Sequence, residues 1–121
     1  MLPDVGDIAW IDLDPVKGTE QAGRRPGLVL TSLGYHQRSR RSIICPISST
    51  ERAWAFNVPL PDGMKTRGAV LVDQIRVIER ADRMFEIIER APEEVLADIR
   101  GRLAALLGFD VVFPRADSER T

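Results

Sequence analysis

The sequence has little of what disulfide and zinc chemistry requires. Its 121 residues include one cysteine, Cys45, and one histidine, His36. A single cysteine cannot form an internal disulfide, which is typical of proteins in a reducing compartment. Structural and catalytic zinc sites draw most of their ligands from several Cys and His residues. A zinc site built from those residue types is therefore excluded.

Other signatures are also absent. No apolar run approaches the ~20 residues that a membrane-spanning helix needs. The N-terminal stretch MLPDVGDIAW lacks the basic and apolar regions of a secretory signal. There is no Walker loop, no dinucleotide fingerprint and no Gly-x-Ser-x-Gly elbow. The acidic residues do not cluster as a two-metal site requires. We therefore expect a cytoplasmic protein with no membrane association, no metal and no cofactor.

The overall charge points to no particular partner. Seventeen basic and 18 acidic side chains give a formal net charge of −1, so any basic surface must be local. Nucleic-acid binding is still allowed, because affinity follows local contacts with phosphates. With 44% hydrophobic and 29% charged residues, the chain has the composition of a globular protein. Its length predicts one domain.

Short apolar stretches separated by Gly, Pro, Asn and Asp predict strands in most of the chain. The predicted strands are 6–15, 27–32, 42–48, 55–60, 68–79 as one long or broken strand, and 84–89. The period then changes to that of a helix over 91–108, with Pro92 in its first turn and Gly108 at its end. One face of this helix carries Val95, Leu96, Ile99, Leu103, Leu106 and Leu107.

These elements predict a mainly β domain with helices. Several strands followed by one amphipathic helix indicate an α+β fold or a small barrel capped by a helix. There is no alternation of strands and helices, so a doubly wound fold is not expected. We expect one domain over 1–108 and a flexible tail over 109–121.

The connection from Pro15 to Arg25 is the most unusual stretch. Hairpin loops usually have 2–5 residues, and greater length often marks function. This loop is rich in polar groups: Lys17, Thr19, Glu20, Gln21, Arg24 and Arg25. A solvated loop that only aids solubility is one interpretation. The other is RNA cleavage by internal transesterification, which needs no metal if an arginine binds the phosphate.

Three stretches carry a family resemblance. GDIAWIDLDPVKGTEQAGRRPGLVLT resembles the N-terminal signature of the MazF/PemK family of toxin endoribonucleases. That signature runs from a strand through Asp-Pro and a Gly-Ser/Thr-Glu-Gln loop to Arg-Pro and an apolar strand. CPISST resembles the family's next strand, and GAVLVDQIRVI resembles its Gly-(apolar)-Asp-Gln strand. The resemblance covers residues 5 to 108.

The resemblance implies an SH3-like barrel of the CcdB/MazF type with a C-terminal amphipathic helix. It implies a homodimer that cleaves single-stranded RNA at short sequence motifs without a metal. Such cleavage leaves a cyclic phosphate and a 5′-hydroxyl. The implied partner is a MazE-like antitoxin, whose acidic, flexible segment lies over the active site.

The resemblance also implies roles for individual residues. Arg25 matches the catalytic arginine of the Arg-Pro pair, and Ser48 matches a hydroxyl position that is more often threonine. Ser49 and Thr50 leave the choice of hydroxyl open by one or two positions. Leu71 is apolar where some relatives carry a basic residue. The other RNA-binding or cleft candidates are Lys17, Thr19, Glu20, Gln21, Arg24, Ser49, Thr50, Asp73 and Gln74.

Alternatives to this interpretation stay open from the sequence. The chain could be a CcdB-like toxin that poisons DNA gyrase, or an SH3-like binding module without activity. Asp73 and Gln74 could be structural, and Trp54 and Phe56 could stack bases or simply pack. Cys45 is expected to be a buried apolar residue and His36 an ordinary loop residue. The arginines 38, 40 and 41 could attract RNA or be solvated.

Overall fold

The structure is a computed structural model that describes residues 1–13, 23–50 and 53–109. The predicted cleft residues Lys17, Thr19, Glu20 and Gln21 lie outside the described residues. So does the predicted tail from residue 110 onwards.

The described part of the chain forms seven strands, three helices and a 3-10 turn. The first half contains β1 (Asp7–Asp12), β2 (Arg24–Val29), α1 (Leu33–His36) and β3 (Arg41–Ser48). The second half contains β4 (Asn57–Pro59), β5 (Ala69–Leu71), the turn Val72–Gln74, β6 (Arg76–Glu79), α2 (Arg80–Arg83), β7 (Met84–Arg90) and α3 (Glu93–Leu107).

The strands form one antiparallel sheet in the order β4-β5-β3-β2-β1-β7, and β6 also pairs with β3. Along one edge, β3 pairs first with β6 and then with β5. Along its other edge it pairs with β2. The stretch 68–79 is therefore a broken strand, which was one of the two alternatives that the sequence left open.

The mainly β fold with a C-terminal helix is confirmed. Among the described residues, the edge strands β4 and β7 do not pair with each other, so the sheet stays open instead of closing into a barrel. At the β4 edge the strands are short: β4 and β5 have three residues each, β4 pairs with β5, and β5 pairs with the end of β3 at Ile47 and Ser48.

Apolar clusters cover both faces of the sheet. Neighbouring residues of a strand point to opposite faces, and Leu28 and Val29 accordingly enter different clusters. The larger cluster includes Val95, Leu96 and Ile99 of α3, all buried. Burial of a side chain of this size contributes roughly 1.5–3 kcal/mol.

The C-terminal helix ends where Gly108 was predicted to end it, but Pro92, expected in its first turn, is the extended N-cap residue before Glu93. Gly108 terminates α3 in the left-handed region, with φ of 78°. The helical leucines were expected to make core or dimer contacts, and Leu106 and Leu107 are 36% and 49% exposed, so these two are not part of the core. In the described structure α3 packs against β4 and the 3-10 turn. None of the helices within the described residues is long and apolar enough to cross a membrane.

Candidate active site

The register of β2 and β3 brings Arg25 and Ser48 together. The two strands pair through Gly27↔Pro46 and two further residue pairs. Continuing this antiparallel register by two residues places Arg25 opposite Ser48. Side chains two residues apart on a strand share a face, so Arg25 and Ser48 lie on the same face of the sheet.

A cavity of about 310 Å³ lies beside this pair. Arg25 and Ser48 both line it, and Arg76 from the start of β6 adds a second guanidinium. Both arginines are exposed, and neither forms an ion pair with a carboxylate of the described residues. The remaining lining residues are Leu13, Pro46, Ile47, Leu71, Gln74 and Ile75. The cavity therefore presents positive charge next to a hydroxyl group, which suits a phosphate.

A second cavity of about 430 Å³ lies next to the first. Ser48, Leu71 and Gln74 line both cavities, so the two are adjacent. The second cavity is completed by Thr50, Trp54, Asn57 and Asp73. We call the two cavities together the groove.

The structure distinguishes the three candidate hydroxyl groups. Ser48 is the one of the three that shares a cavity with Arg25. Thr50 lines only the second cavity, and Ser49 lines a separate cavity beside Gly68. The geometry therefore favours Ser48 as the hydroxyl that acts together with Arg25.

The Ser48 hydroxyl is positioned by the local backbone. The Thr50 amide donates to Ser48 Oγ at 3.1 Å, and Ser48 Oγ donates to the Thr50 carbonyl at 3.3 Å. Bonds of this kind are the usual local pattern of serine at a strand end. The second bond is long, so the hydroxyl can exchange it for a phosphate oxygen at small cost.

Gly68 packs directly against the backbone of Ser48. Its φ is +119°, and a Cβ atom built there would lie 2.0 Å from the Ser48 carbonyl oxygen. Only glycine fits, since any other side chain would collide with the main chain of β3. The close approach fixes the strand end that carries Ser48.

Asp73 and Gln74 enter the groove from the 3-10 turn, and both are exposed. Asp73 has a structural bond, because Trp54 Nε1 donates to Asp73 Oδ2 at 2.9 Å. Gln74 lines both cavities and lies between them.

Arg24 does not line the groove. Its guanidinium lies 3.8 Å from the centre of the Phe85 ring. Neighbouring residues of a strand point to opposite faces, so Arg24 leaves the sheet on the face away from Arg25. This contact is a cation–π interaction with β7. Of the two arginines at the start of β2, Arg25 therefore lines the groove and Arg24 does not.

Cys45 is a buried residue, as the sequence predicted. Its thiol has no exposed surface and lies 3.9 Å from the Val72 carbonyl. Burial raises the pKa of Cys45 to about 12, and the negative charge of Asp73 acts in the same direction. A thiol in this state is not a nucleophile.

His36 is buried and has a structural role away from the groove. Its Nδ1 donates to the Pro3 carbonyl at 2.7 Å. Its Nε2 accepts from the hydroxyls of Thr31 and Ser42 at 2.7 and 2.8 Å. These bonds attach the N-terminal segment to α1 and β3. Two of the arginines of the neighbouring charged run, Arg40 and Arg41, lie within 4 Å of Glu79.

Sequence reasoning missed two polar residues of the groove. Arg76 follows Gln74 by two residues, within a stretch that otherwise resembled the family's Asp-Gln strand. Asn57 is a polar residue at the start of a short strand. The sequence did carry a signal for Arg76: side chains two residues apart in an extended chain point to the same face, so Arg76 could have been placed beside Gln74. Asn57 carried no such signal.

The fold and groove define a small β-rich protein with a cationic cleft that is suited to phosphate chemistry. Comparison with known proteins makes this more specific. Residues 4–107 match the family described as PemK-like, MazF-like toxin of type II toxin-antitoxin system. The chain belongs to this family.

Individual relatives agree with this assignment. Endoribonuclease toxin MazF of Escherichia coli K12 is 36% identical over 108 residues, which cover 88% of this chain and 96% of that protein. A crystal structure of MazF from Deinococcus radiodurans is 38% identical, with a TM-score of 0.79, and the match covers 89% and 98% of the two chains. A MazE-MazF structure from the same organism is 33% identical, with a TM-score of 0.78, over 91% and 99%.

The family resemblance expected from the sequence is thus confirmed. Escherichia coli relatives named MazF and PemK carry the description endoribonuclease. These names support the ribonuclease interpretation over the gyrase-poisoning toxin and the inactive binding module. The groove supports it too, since Arg25 and a hydroxyl line the same cavity.

Proposed function

We propose that this protein is an endoribonuclease toxin that cleaves single-stranded RNA at short sequence motifs. The observation that carries the proposal is the placement of Arg25 and Ser48 on one cavity. Curated relatives that are endoribonuclease toxins match most of the chain. In this proposal residues 1–108 form the toxin domain and the protein acts in the cytoplasm.

The chemistry is an internal transesterification. The ribose 2′-oxygen attacks the adjacent phosphorus, the bond from phosphorus to the 5′-oxygen breaks, and the products are a 2′,3′-cyclic phosphate and a 5′-hydroxyl. Solvent water accepts the proton of the 2′-hydroxyl, and the leaving 5′-oxygen takes a proton from Arg25, which regains one from solvent. Catalysis requires positioning of the phosphate and stabilisation of charge on its oxygens.

Arg25 meets the electrostatic requirement. A guanidinium is positively charged at neutral pH and can bind two phosphate oxygens at once. In our proposal it stabilises the charge that develops on the phosphoryl oxygens and donates a proton to the leaving oxygen. Ser48 donates its hydroxyl to another phosphoryl oxygen, and Arg76 adds positive charge at the same cavity. These groups need no metal ion.

The remaining candidates have supporting roles in this proposal. Thr50, Asp73 and Gln74 line the part of the groove next to Ser48 and would contact the flanking nucleotide. Lys17, Thr19, Glu20 and Gln21 precede Arg25 in the sequence and are proposed as further RNA contacts. Arg24 and Ser49 lie outside the groove and would act only on more distant parts of the RNA.

The proposed partners are a MazE-like antitoxin and a second copy of the chain. Structures of MazE-MazF from Deinococcus radiodurans show that a relative of this similarity binds an antitoxin. An acidic antitoxin segment would be attracted to Arg25 and Arg76 and would cover the groove. The exposed Leu106 and Leu107 offer apolar surface for a homodimer.

The test is cleavage of a diverse single-stranded RNA pool by the purified protein in EDTA. We expect discrete cuts with 2′,3′-cyclic phosphate ends. Arg25→Ala should lower kcat by about 100-fold or more, and Arg25→Lys should restore little, since lysine cannot bind a phosphate bidentately. Ser48→Thr should retain activity that Ser48→Ala loses.

Arg100→Ala is the matched control, because it removes a guanidinium from the exposed face of α3, where Arg100 pairs with Glu93. Its cleavage rate should equal that of the wild type. Absence of any RNA cleavage by the wild type would reject the proposed function. Full activity of Arg25→Ala would reject the site assignment alone.

A further inference from the structure

Trp54 is an unusually exposed aromatic side chain for its position in the groove. Its relative exposure is 53%, yet it lines the second cavity together with Ser48. About half of the residue's surface is accessible to solvent, and Trp54 contributes to the wall of the cavity. An open aromatic face beside a phosphate site is the arrangement on which single-stranded nucleic acids stack their bases.

The indole ring is held in one orientation. Its Nε1 donates to Asp73 Oδ2 at 2.9 Å. The Phe56 ring meets it in a T-shaped contact, with centroids 5.6 Å apart and planes at 62°. Because both contacts constrain the ring, little side-chain entropy remains to be lost when a base binds.

The backbone under Trp54 is also anchored. The Asn57 amide donates to the Trp54 carbonyl at 3.0 Å, and the Val72 amide donates to the Phe56 carbonyl at 2.9 Å. A guanidinium of α3, that of Arg102, donates to the Ala55 carbonyl. The segment that carries the indole is therefore attached to both the 3-10 turn and the C-terminal helix.

Polar groups that suit a base edge surround the ring. Asn57, Asp73 and Gln74 line the same cavity. Amide and carboxylate groups are the side chains that bind the hydrogen-bonding edges of unpaired bases. A purely structural tryptophan would more often be covered by apolar neighbours than by these groups.

We propose that Trp54 is the stacking platform of a nucleobase subsite, oriented by Asp73, for a nucleotide next to the scissile phosphate. The proposal rests on the proposed function, since it assumes that RNA lies in the groove. The position follows from Ser48 and Gln74, which line both the phosphate cavity and the Trp54 cavity. Stacking accepts any base, and the neighbouring amide and carboxylate groups supply the preference.

Steady-state cleavage of RNA tests the subsite in the full-length chain. Trp54→Ala should raise KM by about five- to 150-fold, which is the loss of affinity expected when the stacking of one base on an aromatic ring is removed. The value of kcat should change little. Trp54→Phe should keep most of the affinity, because the aromatic face remains. Tyr35→Ala is the matched control: Tyr35 is 42% exposed and does not line the groove, so KM should not change.

The positioning role of Asp73 has its own pair of variants. Asp73→Asn keeps an oxygen that can accept the Trp54 Nε1 hydrogen bond, whereas Asp73→Ala removes it. We expect KM to rise for Asp73→Ala and to be largely restored for Asp73→Asn. If both variants raised KM equally, the carboxylate charge and not the orientation of the indole would matter, which would contradict the positioning role.

Fluorescence tests the subsite independently of cleavage. Trp10 and Trp54 are the two tryptophans, so Trp10→Phe makes Trp54 the reporter and Trp54→Phe makes Trp10 the control. The probe is a pool of short single-stranded oligodeoxynucleotides, which lack the 2′-hydroxyl and cannot be cleaved. We expect quenching of Trp54, no quenching of Trp10, and little quenching by an abasic oligomer.

The outcomes separate the two proposals. Cleavage by the wild type with an unchanged KM for Trp54→Ala and no quenching of Trp54 would overturn the subsite and leave the proposed function standing. Quenching of Trp54 by the pool, without cleavage of any RNA, would support the subsite and overturn the function. An absence of both cleavage and quenching would overturn both.

Discussion

Replacement of Gly68 by alanine is the sharpest test of how the fold holds Ser48 in place. The added Cβ would lie 2.0 Å from the Ser48 carbonyl oxygen and 2.7 Å from its carbonyl carbon. Real Cβ atoms do not approach backbone this closely, so β3 and the start of β5 must separate. The separation would also weaken the hydrogen bond from the Leu60 amide to the Gly68 carbonyl, which measures 2.9 Å.

The expected loss of stability is large. A residue other than glycine at a φ of +119° costs about 1–3 kcal/mol. The steric overlap adds about 1–3 kcal/mol, as for an overpacked core position. The weakened hydrogen bond adds about 1 kcal/mol. Together these effects predict a loss of roughly 3–7 kcal/mol, a large share of the 5–15 kcal/mol that typically stabilises a domain.

Gly63→Ala separates the backbone effect from the steric one. Gly63 also has a positive φ, of 95°, but no atom lies within 4 Å of its added Cβ. Only the conformational cost remains, so we expect a loss of about 1–2 kcal/mol. Urea unfolding followed by circular dichroism measures both variants. If Gly68→Ala destabilised the protein no more than Gly63→Ala, the close packing against Ser48 would be refuted.

Two further predictions concern titratable groups outside the groove. Burial raises the pKa of the Glu89 carboxyl, but hydrogen bonds from the Thr66 side chain and from the amides of Lys65 and Thr66 outweigh it and leave the pKa below its usual value. Because the folded pKa is depressed, the stabilisation is present above the unfolded pKa of about 4.3 and is lost as the pH falls through the folded pKa. Glu89→Gln should lower the free energy of unfolding by about 1 kcal/mol at neutral pH and leave it unchanged at acid pH, as measured by urea midpoints across the pH range. Glu86→Gln on the same strand is the control and should change the free energy of unfolding little. A pH-independent loss for Glu89→Gln would contradict this prediction. The Cys45 thiol, with its pKa raised to about 12 and no exposed surface, should resist iodoacetamide at pH 8 until urea unfolds the chain; an equal alkylation rate in the native and unfolded protein would show that the thiol is accessible.

Local sequence signals predicted the individual elements well. The break in 68–79 was expected as an alternative to one long strand, and Gly108 was expected at the helix end because glycine adopts a left-handed conformation readily. Of the apolar face predicted for α3, Val95, Leu96 and Ile99 are buried, whereas Leu106 and Leu107, for which core or dimer contacts were expected, are exposed. Periodicity shows which residues share a face of a helix, but it does not show where the surface that covers the helix ends.

The site could be predicted only where the family motif carried it. Arg25 and Ser48 were candidates because of the resemblance, whereas their proximity depends on the β2–β3 register, a long-range pairing. Asn57 lies outside the three motif stretches, and Arg76 lies inside one of them without being singled out, so both were missed. The contact of Trp54 with Asp73 joins side chains on different elements, so no local pattern indicates it. The sequence likewise did not show that the sheet stays open.

The 3-10 turn between β5 and β6 links the two halves of the groove. Val72 is fully buried, and its amide binds the Phe56 carbonyl, so one residue ties the turn to the segment that carries Trp54. Asp73 and Gln74 follow it on the exposed side, where they line the groove. Val72 therefore fixes the backbone position of the turn, and Asp73 and Gln74 supply the polar groups that face the groove. The hydrogen bond of the Val72 amide does not depend on the side chains of Asp73 and Gln74. A substitution at Gln74 can therefore change the base preference while the backbone under Trp54 and the Arg25–Ser48 pair keep their relative positions.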